Sequence, residues 1–172
     1  CLAELLFPNR RYFPAALPLP VREADLKENN RYLAAMGQTG KLKSFMAVRP
    51  EWDPEEVEQT LLNNGFLGFK PYPDVVSGKK GEQIGIFDFI PPKQWEILNR
   101  NKKAVMLHLP RKDRLADIDN IRELLEARSK YSDVTVIVAH LGRSFCPVFL
   151  KQGLAGLGSQ KSAFFFDVSG VM

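Results

Sequence analysis

A chain of 172 residues, 45% hydrophobic and 26% charged, holds one ordinary domain with a real core, and no apolar run approaches the roughly 20 residues that cross a bilayer. Its formal charge of +4 comes in small groups separated by acids (Arg10-Arg11, Lys79-Lys80, Arg100 with Lys102-Lys103, Arg111-Lys112 with Arg114) and without interleaved aromatics, which argues against a nucleic-acid face. Two cysteines, Cys1 and Cys146, cannot build a disulfide framework, so a reducing cytoplasm is the expected location.

The start of the chain lacks the charged leader of a signal peptide and an initiator Met, so a processed chain or a piece of a longer one is expected. Leu2 to Phe7 and Ala15 to Leu19 are short apolar runs broken by Pro8, Pro14, Pro18 and Pro20. Glu23 to Met36 reads as a helix, with Gly37 as its stop. Phe45-Met46-Ala47-Val48 predicts a short strand. Asp53-Pro54-Glu55-Glu56 is a helix start: Asp as N-cap, Pro at the first helical position, and Glu56 placed to close a capping box. Val57, Leu61 and Leu62 form its expected buried stripe, and Gly65 its stop.

The rhythm then repeats. Phe66 to Phe69 predicts a strand, Pro91 to Asn101 a helix with Trp95, Ile97 and Leu98 inside, and Ala104 to Leu109 a strand. Ile118, Ile121, Leu124 and Leu125 mark a helix ending near Tyr131. Val134 to Ala139 is a strand, Pro147 to Leu157 a helix, and Ala163 to Val168 a strand. Cys146 sits at the start of that last helix, where packing is favoured over a nucleophilic role. Alternating strands and helices with short links predict right-handed βαβ units and a parallel sheet, either a (β/α) barrel or a doubly wound sheet. No glycine-rich dinucleotide fingerprint and no P-loop follows any strand, which weakens the nucleotide-binding version.

The only two histidines occupy equivalent places. His108 ends Ala104-Val105-Met106-Leu107, and His140 ends Val134-Thr135-Val136-Ile137-Val138-Ala139. The C-terminal ends of parallel strands are where α/β sites form, and imidazole is both a common metal ligand and a general base near neutral pH. One strand-end histidine is more often a hydrogen-bonded core residue; two in equivalent positions favour a metal or acid/base site. Arg49, Lys70 and Asp167 with Ser169 follow the other strands, so every predicted strand ends in polar chemistry. Arg49 and Lys70 also read as side chains reaching for water, and Asp167 as a cap of the turn through Ser169 and Gly170. Gly142 allows a sharp turn past His140, Arg143 adds a cation, and Arg111, Lys112 and Arg114 follow His108. An electropositive cleft for a small anionic substrate, a carboxylate, is the expectation.

Four segments carry a resemblance: Gly65-Phe66-Leu67-Gly68-Phe69-Lys70, Val105-Met106-Leu107-His108, Val136-Ile137-Val138-Ala139-His140-Leu141-Gly142 and Phe166-Asp167-Val168-Ser169-Gly170. In order and spacing, residues 40 to 172 resemble the amidohydrolase-related family of metal-dependent hydrolases, the group that includes aminocarboxymuconate-semialdehyde decarboxylase. The resemblance implies a (β/α)8 TIM barrel with a divalent metal, often zinc, at its mouth. It implies His108 as the fifth-strand metal ligand, and His140 as the sixth-strand histidine, acting as acid/base or as a second ligand. Asp167 looks like the seventh-strand Asp-x-Ser, so Asp167 and Ser169 are expected beside the ligands and not on the metal. Lys70, Arg111 and Arg143 would hold a substrate carboxylate. The chain has no His-x-His pair and ends shortly after its Ser-Gly motif, whereas a whole barrel takes about 250 residues. The expectation is therefore a single partial barrel domain over residues 1–172, with about five or six βα units. Weak or absent metal binding by this piece follows, as does homo-oligomerisation through its open sheet edges. Hydrolysis leads as the activity. Nonoxidative decarboxylation on the same scaffold is the nearest rival, and a noncatalytic degenerate barrel the rival of another class.

Overall fold

The computed structural model describes residues 5, 8–9, 13–19, 23–79 and 81–169. Cys1, the basic pair Arg10-Arg11, Lys80, Gly170 and most of the Leu2 to Phe7 run lie outside the described residues. In chain order the elements are β1 (Ala15–Ala16), α1 (Leu26–Gln38), β2 (Lys43–Ser44), α2 (Pro54–Asn63), β3 (Gly68–Phe69), α3 (Ile86–Phe89), α4 (Pro92–Arg100), β4 (Ala104–Leu107), α5 (Ile118–Lys130), β5 (Thr135–Val138), α6 (Pro147–Leu157) and β6 (Phe165–Phe166).

Helix starts follow from their caps. Asp25 accepts from the N–H groups of Lys27 and Glu28, Asp53 from Glu55 and Glu56, and Asp117 from Asp119 and Asn120. Each cap satisfies two of the donors a helix leaves unpaired at its N-terminus. Glu56 does not close the expected capping box but reaches across to Lys27 at 2.6 Å. Gly37 does not stop α1, which runs one residue further. In α2, Val57 and Leu61 are buried as expected, whereas Leu62 faces solvent.

All six strands run parallel, in two ladders that follow chain order. β1 pairs with β2; β3 pairs with β4, β4 with β5, and β5 with β6. A bridge between Met46 and Phe69, with Lys70 N–H donating to Met46 O at 2.8 Å, joins the two groups. The strand expected at Phe45–Val48 is thus split: its ladder lies at Lys43–Ser44, and only Met46 continues it. Ala15–Ala16 is a strand that the proline-broken opening conceals. A doubly wound sheet reverses its strand order at a switch point; an uninterrupted sequential order is that of a barrel. The sheet order therefore decides between the two architectures. The core packs Trp95, Leu98, Val105, Leu107, Leu124, Val136 and Val138 between sheet and helices, all essentially excluded from solvent. No helix among the described residues is long and apolar enough to cross a membrane.

Candidate functional site

Parallel strands deliver all their C-terminal ends to one side. There a cavity of about 430 Å³ is lined by Lys70 after β3, Met106 and His108 from the end of β4, His140 after β5 and Asp167 after β6. Tyr72 completes the polar side, and Leu17 to Leu19 with Leu33 form an apolar wall. Tyr72 donates its hydroxyl to Pro18 O at 2.7 Å, which ties this wall to the mouth.

The two imidazoles touch. His108 Nε2 lies 3.0 Å from His140 Nε2, with ring centroids 5.0 Å apart. Their spacing is set by the longest ladder of the sheet, β4 on β5, which pairs four residues and closes with Ala139 N–H donating to Leu107 O. His140 then opens a turn in which four successive residues take left-handed conformations: His140 (φ 54°), Leu141 (49°), Gly142 (69°) and Arg143 (56°). Left-handed backbone is costly for residues with a Cβ, and runs of it concentrate where function requires them. Gly142 has a further reason to be glycine, because a Cβ there would sit 2.5 Å from Leu115 Cβ.

Asp167 holds the turn in place. Its backbone O accepts from Leu141 N–H at 2.7 Å, and Oδ2 accepts from His140 N–H at 3.3 Å. Ser169 donates its N–H and hydroxyl to the same carboxylate. Burial opposes ionisation of Asp167, but these hydrogen bonds prevail and keep its carboxyl below the usual range. Asp167 thus does both things the sequence allowed, capping the Ser169 turn and supporting His140.

Ser169 O lies 2.6 Å from His140 Nδ1. A carbonyl oxygen only accepts, so Nδ1 carries the proton. In the neutral ring Nε2 is then a lone pair, and His108 Nε2–H donates to it. Burial, with Lys70 and His140 nearby, pushes His108 down to about 3, so it stays neutral across the physiological range. Lys70 is almost wholly buried, and burial brings it down to about 7; its ammonium lies 5.0 Å from the Tyr72 ring centre and donates to Met106 O. Burial raises Tyr72 to about 12, so its hydroxyl stays protonated.

Not every expected site residue converges. Arg111 is engaged elsewhere: its guanidinium binds Glu123 at 2.7 Å and Asn120 at 2.9 Å, both on α5, in a pair shielded from solvent. Its carboxylate is already supplied from within the fold, so it is not available as a substrate clamp. Arg143 bears on Lys70 and His108 electrostatically but lines a neighbouring pocket with Arg114. Cys146 is an exposed free thiol, not a packing residue. Tyr72 is the site residue that sequence reading missed; the spacing Lys70-x-Tyr72 just past a strand end was the available signal.

Two imidazoles with one Nδ1–H pinned by a carbonyl have the donor chemistry and orientation of metal ligands. They fall short in number: among the described residues no group of three His, Cys, Asp or Glu is placed to hold a metal ion. Catalytic zinc usually takes three protein ligands and a water.

No protein family profile matches the chain, and neither does any curated protein. Among solved structures it is similar to 4-oxalomesaconate hydratase, LigJ, from Rhodopseudomonas palustris, at 15% identity and TM-score 0.59, covering 83% of this chain and 49% of that one. It is also similar to a protein from Staphylococcus aureus described as an amidohydrolase, at 16% identity and TM-score 0.55, covering 84% and 60%. A third is 5-carboxyvanillate decarboxylase from Novosphingobium aromaticivorans in complex with manganese, at 18% identity and TM-score 0.50, covering 81% and 47%. These likenesses establish the fold as part of a TIM barrel. The chain spans about half the length of the first of these enzymes.

Proposed function

We propose that this chain carries the acid/base half of a metal-dependent hydrolase of the amidohydrolase type, acting on a small carboxylate-bearing substrate. One observation carries the reading: His108 and His140 meet at 3.0 Å at the C-terminal ends of parallel strands, beside the buried Lys70. Two lone pairs cannot face each other at that distance without a proton or a cation between them. A divalent ion bound by His108, with ligands from elsewhere in a complete barrel, would supply a water of lowered pKa and polarise the substrate carbonyl. Manganese in the decarboxylase above supports a divalent ion of that kind, and zinc suits imidazole equally well.

This chain's own residues do the rest. His140, its Nδ1–H fixed on Ser169 O, accepts or returns a proton at Nε2. Lys70, with the field of Arg143 behind it, holds the substrate carboxylate in a mouth lined by Tyr72 and Leu17 to Leu19. His108→Ala in the metal-supplemented enzyme is expected to lose bound metal by elemental analysis and hydrolysis of small carboxylate-bearing amides, esters or lactones together. Retention of both would overturn the assignment. Carbon dioxide release from aromatic acids in place of hydrolysis would reassign the same residues to decarboxylation. Metal-free protein with neither activity would point to a binding module.

A further inference from the structure

Beside the histidine cavity lies a second pocket, of about 350 Å³, of which the proposed function uses only the field of Arg143. Lys112 and Arg114 reach it from the loop after β4, and Arg143, Ser144 and Cys146 from the left-handed turn and the start of α6. Asp113 is the one acid among its lining residues.

Three independent features point to the same class of ligand. Ser144 is 5% exposed, and its hydroxyl has no hydrogen-bond partner. A buried polar group left unpaired costs about 1–3 kcal/mol, so such groups ordinarily have a partner. Next, Arg143 and Lys112 make no ion pair or side-chain hydrogen bond among the described residues. Arg114 is anchored by its donations to Leu109 O and Pro110 O; the like charge of Arg143 opposes it, and the carboxylates of Asp74 and Glu82 act on it in the other sense. Both arginines adopt left-handed backbone, with φ 54° and 56°. Finally, α6 has eleven residues and no side-chain cap, whereas Asp caps α1, α2 and α5. Cys146 and Phe149 of its first turn line the pocket, and no side chain satisfies the N–H groups that a helix leaves unpaired there.

We infer that this pocket is an oxyanion site, taking a phosphate or carboxylate group between Arg114 and Arg143, with the Ser144 hydroxyl and the N-terminus of α6 as donors. An anion would offset the repulsion of the guanidinium pair, give Ser144 its missing acceptor and complement the helix dipole. The site does not depend on metal or on the chemistry of the histidines. Two sources share this chemistry: free inorganic phosphate, or the far end of a ligand whose body reaches His108 through the field of Arg143.

Cys146 reports occupancy, because it is exposed and lines the pocket. Alkylation of its thiol by iodoacetamide is followed with inorganic phosphate, malonate or a small phosphate monoester, and binding is measured by calorimetry. Saturable one-to-one protection is expected at millimolar concentration or below. Arg114→Met and Ser144→Ala, checked for folding by circular dichroism, should each weaken it about tenfold, the loss of one charged or one neutral hydrogen bond. Protection by inorganic phosphate alone identifies the free ion. Protection only by the larger anions, weakened by Lys70→Met, identifies a substrate tail. No protection and no heat from any of the three in the wild-type chain, or protection that both variants keep in full, would overturn the site.

Discussion

Three residues carry most of what can be tested one side chain at a time. Lys70 is the first. Its folded value near 7 lies below the ordinary 10.5, so between those values the unfolded chain takes up a proton that the folded chain refuses. Stability therefore falls as pH is lowered from about 10.5 to 7. His108, brought from 6.5 to about 3, adds a second loss over that lower window. Urea denaturation midpoints should rise with pH through the neutral range, and Lys70→Met should raise the midpoint near neutrality and flatten that slope. An unchanged slope would remove Lys70 as its cause. His140 is the second: nitrogen NMR should find its Nδ1 protonated and its Nε2 accepting at alkaline pH, as the Ser169 carbonyl requires. Arg111 is the third. Losing one partner of a shielded ion pair costs about 3–5 kcal/mol. Arg111→Met should lower thermal stability through Glu123 without altering anion affinity at the mouth, whereas a substrate clamp would show the reverse.

At the scale of elements, what the sequence revealed and what it concealed have separate physical causes. The helices were legible because their signals are local: an Asp cap, Pro54 or Pro147 at the first helical position, and apolar residues at helical spacing. The strand ends bearing Lys70, His108, His140 and Asp167 were legible because a parallel sheet buried on both faces reads as an apolar run. The proline-rich β1 was not, since its two residues are fixed only by pairing with β2. Nor was the fate of Arg111, because Glu123 lies twelve residues away on a helix face whose rotation no local pattern states. Gly142 was read as a turn, and the structure adds a run of four left-handed residues packed on Leu115. Gly142→Ala should cost at least about 2 kcal/mol, from the left-handed backbone and the contact with Leu115 together. It should also disturb the His140 resonances more than those of Lys70. A variant as stable as the parent would mean that the turn relaxes freely.

Across the whole molecule, the six parallel strands leave β1 and β6 without a second neighbour among the described residues, and Phe13, Leu17, Phe165 and Val168 stand exposed near those edges. Open edges and exposed apolar side chains favour association. The 172-residue chain should form dimers or larger species in sedimentation velocity at high concentration, and a single monomeric boundary would count against this. Two imidazoles without a third ligand should also give only weak zinc or manganese binding by calorimetry; a tight one-to-one isotherm would show that the ligand set is complete within this chain.

The neighbour-to-neighbour order of the strands has a kinetic side. Each strand meets its partner after a single intervening crossover, so the sheet can zip up progressively, without waiting for distant segments to find one another. The longest run of pairing joins the two strands that present the imidazoles. Hydrogen exchange should therefore find β4 and β5 the last amides to open, so the spacing of the two imidazoles would survive fluctuations that peel away the flanks.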